Sequence, residues 1–232
     1  MKNNISVILS VFNGEKHIAN AIESVLNQSY EDFEFLILDD ASTDNTYNII
    51  KRYQNIDKRI ELLKNNSNIG LTKSLNTLIS KSKYEYIARQ DADDLSLVER
   101  FSSQLSVINS GDYDAVTTRA IIKGEISFTP NYSYYLPRSF VMKIKNPFIH
   151  GSLMIKKSVL YDLGKYNEKF YYAQDYKLMS DLVKKNYKTK IIKEPLYVLN
   201  QKNNISTNFK KSQKYFANCV KKNIDPEINI WE

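Results

Sequence analysis

Apolar positions along this chain follow two alternating rhythms. Residues 5–11 form an almost unbroken aliphatic run (Ile5, Val7, Ile8, Leu9, Val11), which suits a strand covered on both faces. Asn13-Gly14 breaks the run. From Glu15 to Gln28, apolar side chains fall at Ile18, Ala21, Ile22, Val25 and Leu26, the three- and four-residue spacing of an amphipathic helix. The unit then recurs. Phe33 to Leu38 predicts a second strand ending at Asp39-Asp40, and Asp44 to Ile56 a helix with Ser42 or Asp44 as its cap. Ile60 to Leu63 predicts a short strand, Leu71 to Ser80 a helix, and Tyr84 to Ala88 a fourth strand ending at Asp91 to Asp94. Strands alternating with helices of this length imply crossover connections. The expected architecture is a doubly wound α/β fold with a mainly parallel central sheet and helices on both faces.

The alternation then loosens. A helix is expected from Ser96 to about Asn109, strands at Tyr113 to Thr118 and Ala120 to Phe128, and a buried strand over residues 147–155. Asp175 to Lys185 predicts a helix with Tyr176, Met179, Leu182 and Val183 facing inward and Asp175 at its N-terminus. Tyr132, Tyr134 and Tyr135 suit either packing or a sugar-stacking surface, with packing the simpler expectation.

Composition narrows the function classes. The 232 residues are 42% hydrophobic and 25% charged, as in ordinary globular proteins, and hold six Gly and five Pro, too few for long flexible linkers. The single cysteine, Cys219, excludes both a disulfide framework and a thiolate zinc site, and suits a reducing, cytoplasmic location. No stretch approaches the roughly 18 apolar residues of a spanning helix. Met1-Lys2 followed by the first apolar run imitates a signal peptide, but Glu15 and Lys16 follow without a cleavage site, and a strand explains it better. The formal net charge is +7, and it is unevenly placed. Residues 1–100 carry twelve Lys and Arg against fifteen Asp and Glu; residues 101–232 carry twenty-one against eleven. From Asn208, Lys210, Lys211, Lys214, Lys221 and Lys222 interleave with Phe209, Phe216, Cys219 and Val220, predicting a basic amphipathic helix that either lies on an anionic membrane or caps the fold.

Open α/β sheets bind ligands at the carboxyl ends of their strands. Three of the expected strands end there in polar residues: Ser10 to Asn13, Asp39-Asp40, and Asp91 to Asp94. One acidic pair would pass for a turn former or helix cap. Two at equivalent strand ends are less easily explained that way.

At this point the segments resemble family 2 glycosyltransferases, which have the GT-A nucleotide-sugar fold. Residues Ile5 to Asn13, Glu23 to Tyr30, Leu38 to Asp44 (with Ala41 where Gly is commoner), Tyr86 to Asp94 as a DxD segment, His150-Gly151-Ser152 and Gln174-Asp175 are similar to the family's motifs, in order, over roughly residues 4–206. The resemblance implies one domain over residues 1–206, with a nucleotide-sugar half (1–110) and an acceptor half (111–206), and a tail over 207–232. It places Ser10, Phe12, Asn13, Asp39, Asp40, Arg89, Asp91 and Ala92 along the nucleotide, with Asp40 accepting from the base and Phe12 stacking on it. It gives Asp91 and Asp93 to a metal ion, with the main role on Asp93, and leaves Asp94 as a helix cap. Manganese or magnesium suits carboxylate oxygens and serves as a Lewis acid on the leaving diphosphate. His150, Gly151 and Gln174 fall on the acceptor side, and Asp175 matches the general base of an inverting single displacement.

Two departures stand out. Gln174 replaces the usual Glu beside the base. Leu199 and Gln201 stand where Arg and His are common, so weaker metal affinity or pyrophosphate contact by Lys202 is expected. The implied partners are a nucleotide-sugar, by resemblance a UDP-sugar, and a glycan or lipid-linked acceptor of bacterial surface polysaccharide or lipooligosaccharide synthesis. The implied location is cytoplasmic or peripheral on the inner face of the membrane. A nucleotidyltransferase would need a Gly- and basic-rich loop that Val11 to Glu15 lacks. A nucleic-acid module is opposed by the acidic strand ends, and a catalytically weak, nucleotide-binding paralogue is the remaining alternative.

Overall fold

The computed structural model describes residues 4–125, 127–201 and 209–227. The expected opening half is present. β1 (Ile5–Val11) lies parallel to β2 (Phe33–Asp39) on one side and to β4 (Tyr86–Arg89) on the other, and β2 lies parallel to β3 (Ile60–Lys64). The helices α1 (Ile18–Leu26), α2 (Thr46–Ile56) and α3 (Leu71–Lys81) connect them.

Beyond β4 the sheet turns mixed. β8 (Met154–Lys156) is antiparallel to both β4 and β6 (Ala115–Ile122), whereas β9 (Thr189–Leu199) is parallel to β6. The two-residue strands β5 (Leu95–Ser96) and β7 (Phe128–Thr129) add antiparallel edges to β9 and β6. The parallel reading therefore holds through the first half, and beyond β4 only for the β6–β9 pair. Parallel neighbours need a helical crossover, and the strand-helix alternation that supplies it stops near Ser96.

Three local expectations change. The two strands expected over 113–128 are mostly one continuous β6, which passes an irregular register at Thr118 to Ala120. The helix expected from Ser96 begins only at α4 (Arg100–Gly111), because Leu95 and Ser96 pair with β9. The run at 147–155 is buried yet mostly not strand. His150–Ser152 forms a single 3-10 turn, in which Ser152 N–H donates to Ile149 O and Leu153 N–H to His150 O. Turn bonds of this kind satisfy a buried backbone without a ladder.

Two apolar layers sandwich the sheet. Ile5, Val7, Leu9 and Val11 of β1 pack on one side with Ile18, Ile22 and Val25 of α1 and with Phe101 of α4. Ile8 of β1 and Leu36 and Leu38 of β2 face the other side, where α3 and, after the short α5 (Arg138–Val141), α6 (Lys157–Asp162) and α7 (Gln174–Lys184) supply Leu75, Leu160 and Met179. The alternation along β1 and β2 is the period-two pattern of a sheet covered twice.

The basic helix, α8 (Lys210–Lys222), belongs to this second layer. Phe216, Cys219 and Val220 are buried in it, and the Phe216 ring lies 6.2 Å from Phe170 and 5.6 Å from Tyr172, centroid to centroid. Its apolar face caps the fold, and its lysines point to solvent. No helix among the described residues is long and apolar enough to cross a membrane.

Candidate functional site

The loops at the carboxyl ends of β1 and β2 are bonded to each other. Asn13, at φ +52°, donates its N–H to Ser42 Oγ (2.9 Å) and accepts the Thr43 N–H on Oδ1 (2.8 Å). Gly14 N–H donates to Thr46 Oγ1 (2.8 Å) and Glu15 N–H to Asp44 Oδ2 (3.1 Å). The Asn13 side chain, expected to face a nucleotide, thus braces two loops. The cap position of α2 is Asn45, without a side-chain cap bond, and not Ser42 or Asp44 as expected; Asp44, one residue earlier, takes the Thr46 N–H in a local turn (3.0 Å).

The two acids ending β2 differ sharply. Asp40 is buried and accepts three bonds from the following loop: Asn65 Nδ2 (2.7 Å) and Ile69 N–H (3.0 Å) on Oδ1, and Gly70 N–H (2.9 Å) on Oδ2. A carboxylate has about four acceptor sites, so its first task is to fix residues 65–70. Asp39 is fully buried; Oδ1 accepts the Ser42 N–H (3.3 Å), and no partner for Oδ2 occurs among the described residues. Ser10 is buried at the end of β1, whereas Phe12 is 49% exposed, so it is a free aromatic face and not a core ring.

Leaving β4, the chain enters the acidic turn. Arg89 is buried and its Nη2 donates to Asp91 Oδ1 (2.5 Å). Arg100, fully buried on α4, sends Nη1 to Ser96 Oγ (2.8 Å), Gln90 Oε1 (3.2 Å) and Gly151 O (3.2 Å), and Nη2 to Arg89 O (2.8 Å). Burial lowers its guanidinium to about 10, still charged at neutral pH. Tyr197, on β9 and fully buried, accepts the Asp91 N–H on its hydroxyl oxygen (3.1 Å) and bonds to Asp94. Gly151 closes the arrangement: a Cβ there would lie 2.2 Å from Tyr197 Oη and 2.6 Å from Asp91 Oδ2.

Asp94 is not a helix cap. It is buried, its Oδ1 accepts the Asn200 N–H (2.7 Å), and burial, with Asp91 and Asp93 adding, pushes its pKa up to about 8. It is therefore mostly protonated at neutral pH. Asp91 is paired with Arg89, and among the described residues no cation contacts Asp93; burial first and Asp91 second raise its pKa. Among the described residues, no three His, Cys, Asp or Glu side chains converge to cage a metal. The donor set fits a hard cation held by Asp93 and Asp91 and completed by ligand oxygens and water. Ala92, between them, is half-buried.

On the other side of the turn, α7 begins directly after Ala173, which sits at φ +53°. Gln174 is its half-buried first residue. Asp175 lies in its first turn, where helix ends favour negative charge, and accepts Asn146 Nδ2–H on Oδ2 (2.9 Å). His150 Nε2 and the Tyr166 hydroxyl lie 2.7 Å apart. This pair links the halves electrostatically. Burial, then Arg89, holds the His150 imidazole below its ordinary range, while Asp91 and Asp175 oppose. Burial pushes the Tyr166 phenol up, with Asp175 and Asp91 adding. His150 is thus a neutral, bonded imidazole beside both carboxylates.

The structure brings together Asp91, His150, Gly151 and Asp175, all singled out in the sequence, with Arg100, Asn146, Tyr166 and Tyr197, which were not. For Arg100 a signal existed: it falls on the stripe of Phe101, Gln104, Leu105 and Ile108, the buried face of α4. Nothing local marks Tyr197 or Asn146. Gln201 is exposed at the end of β9, and Lys202 with the segment to 208 lies outside the described residues. Tyr134 packs against the core, as expected, but Tyr132 and Tyr135 are exposed.

The Glycosyl transferase family 2 model matches residues 6–164. EpsE of Bacillus subtilis, assigned as a glycosyltransferase, is 36% identical over 165 residues, 70% of this chain and 59% of its own length. The O-antigen biosynthesis glycosyltransferase WbnJ of Escherichia coli is 34% identical over 67% of this chain and 63% of its own. The chain thus spans about three-fifths of these relatives. In fold it is similar to S. aureus TarS crystallised with UDP (TM-score 0.76, 18% identity, 97% of this chain and 67% of that one). It is also similar to the mannosyltransferase PcManGT of Pyrobaculum calidifontis with GDP-Man and Mn2+ (TM-score 0.67, 21% identity, 85% and 56%). Both share the architecture described above. On the family model and these identities, the chain belongs to the family 2 glycosyl transferases.

Proposed function

We propose that this chain transfers a sugar from a nucleotide-sugar, a UDP-sugar first among them, to a hydroxyl of a glycan or lipid-linked acceptor in bacterial surface polysaccharide synthesis, working at the inner face of the membrane. The observation that carries the reading is the common environment of Asp91 and Asp175: carboxylates from opposite halves of the fold both act on the His150–Tyr166 pair. UDP is favoured by the TarS complex, and polysaccharide synthesis by WbnJ.

In this mechanism the exposed Phe12 stacks on the base, while Ser10, Asp39 and the last acceptor site of Asp40 hold its polar edge and the ribose. Asp93, with Asp91, would hold a manganese or magnesium ion, which would supply Lewis-acid stabilisation to the leaving diphosphate. Arg89 fixes the direction of Asp91. On the far face, Asp175 takes the proton of the acceptor hydroxyl as its oxygen attacks the anomeric carbon. The bond to the diphosphate oxygen breaks with its electron pair, and the configuration inverts through an oxocarbenium-like state. Asn146 holds Oδ2 of Asp175, leaving Oδ1 for the proton.

Calorimetric titration with UDP, GDP and CDP, with and without manganese, tests the donor half. UDP binding that depends on manganese and disappears in Asp93→Ala is expected, followed by UDP-sugar turnover abolished in Asp175→Asn. Nucleotide binding by none of the three, in either condition, would overturn the reading.

A further inference from the structure

The segment between β7 and the 3-10 turn at His150 exposes more large apolar side chains than its own packing needs. Val141 and Met142 turn into the core, and the Met142 carbonyl accepts the Tyr176 hydroxyl. Outward, within residues 132–144, stand Tyr132 (83% exposed), Tyr135 (69%), Leu136 (48%), Phe140 (54%) and Ile144 (56%). Scattered exposed apolar residues are normal; five in one short arm make a patch. The charge within the segment has one sign. Between Glu125 and Asp162 the sequence contains no Asp or Glu, and Lys143 and Lys145 are exposed beside Ile144. The arm ends at Asn146, which holds Asp175.

We propose that this arm is a docking surface for an anionic phospholipid bilayer. The chemistry matches an interface in three respects. Tyrosines with one apolar and one polar end suit the headgroup level. Leu136, Phe140 and Ile144 suit the acyl boundary, and lysines without neighbouring carboxylates suit an anionic leaflet. A glycan-stacking platform would set acidic side chains beside its rings to read hydroxyls, whereas here the segment's charged residues are all cations and aliphatic residues lie next to Tyr135 and Phe140. The basic helix α8, the natural first choice from sequence, has its apolar face in the core. The proposal does not depend on the transfer reading: docking is measured without nucleotide or acceptor, so either fails without the other. If both hold, docking sets Asp175 next to the bilayer surface.

The test is flotation of the full chain with phosphatidylcholine vesicles, pure or containing 30 mol% phosphatidylglycerol (roughly the anionic content needed for electrostatic attraction). Binding to the anionic vesicles, weakened by salt, is expected. It should fall at least about tenfold in Lys143→Glu/Lys145→Glu and in Leu136→Ser/Phe140→Ser/Ile144→Ser. Lys210→Gln/Lys211→Gln/Lys214→Gln should bind nearly as wild type. All changes are at exposed positions, and equal thermal melting verifies folding. The single variant Ile144→Glu serves if the triple one melts early. No flotation with anionic vesicles overturns the proposal, as does loss confined to the α8 variant. Quenching of tyrosine fluorescence by a soluble glycan in place of vesicle binding overturns it in favour of a sugar platform.

Discussion

Gly151 sits where three elements meet, and replacing it by alanine has a calculable effect. The added Cβ would lie 2.2 Å from Tyr197 Oη, 2.7 Å from its Cζ and 2.6 Å from Asp91 Oδ2. None of these neighbours retreats easily. Tyr197 is fully buried, with its ring under the Arg100 guanidinium at 5.4 Å and its oxygen bonded to the Asp91 N–H. Overpacking a buried site by one methyl costs about 1–3 kcal/mol. Displacing the phenol strands a buried N–H and weakens the bond to Asp94, for about another 1–3 kcal/mol. Gly151→Ala should therefore lose roughly 3 kcal/mol, a fall in Tm of about 6–12 °C for a chain of this size. Differential scanning calorimetry gives the stability and UDP titration the consequence at Asp91. The companion variant Tyr197→Phe removes the atom closest to the new Cβ while leaving Cζ in place. The double variant should then be at least about 1 kcal/mol more stable than the sum of the two single losses. A Tm for Gly151→Ala within about 1 °C of wild type, or strictly additive losses in the cycle, would refute this account of why glycine is required.

The other predictions are shorter. Asp94 has a folded pKa of about 8 against an ordinary 3.8, so the folded state holds a proton that the unfolded state has lost. Its contribution is complete at low pH and is lost as pH rises from about 4 to about 8, with a slope of at most about 1.4 kcal/mol per pH unit; in EDTA buffer, the Tm of Asp94→Asn should gain on wild type from pH 6 to pH 8, and parallel curves would count against it. Ala41 is held at φ +61°, so Ala41→Gly should relieve a net strain of about 0.5–1 kcal/mol and raise Tm by about 2 °C, read by thermal melting. Asn146→Ala should lower kcat about tenfold with KM and Tm little changed, and Asn146→Asp, which sets a second carboxylate against Asp175, should shift the pH profile of kcat; a pure KM effect would remove Asn146 from the positioning of the base.

The first hundred residues were legible because each local pattern there has one structural solution. The run of residues 5–11 can be buried on both faces only as a central strand, and Ile18, Ala21, Ile22 and Val25 fit only a helix packed on it. Residues 147–155 were less legible, since apolarity reports burial and not backbone pairing, and turn bonds at His150–Ser152 satisfied the chain instead. The site divides the same way. Acids at strand ends are visible in one dimension. Asp94's burial, by contrast, depends on Asn200 and Tyr197, more than a hundred residues away, and no spacing rule connects them. Asp40 and Asn13 show the converse limit. Their residue types suit a ligand and a loop clamp equally, and the clamp partners, Asn65 and Thr43, lie in other loops.

The position of β4 explains why these pieces converge. It is the strand that runs parallel to β1 on one edge and antiparallel to β8 on the other, so the sheet changes character across it. Ligands in open α/β sheets bind where strand order or direction switches, because the connections diverge there and leave a crevice. The acidic turn leaves β4 at that seam and is fixed at both ends: Arg100 holds the Arg89 carbonyl at its entry, and β5 pairs with β9 at its exit. The crevice therefore has one rigid wall. Facing it, Asp175 stands on a helix start, held by Asn146 at the end of the exposed arm. In the proposed mechanism a bound sugar would lie between a wall set by buried charge and Asp175, positioned from the surface side. On the proposed transfer reading, adaptation to different acceptors would fall to the arm, while Asp91 stays constrained by the Arg100–Tyr197–Gly151 packing that any displacement of it would have to break.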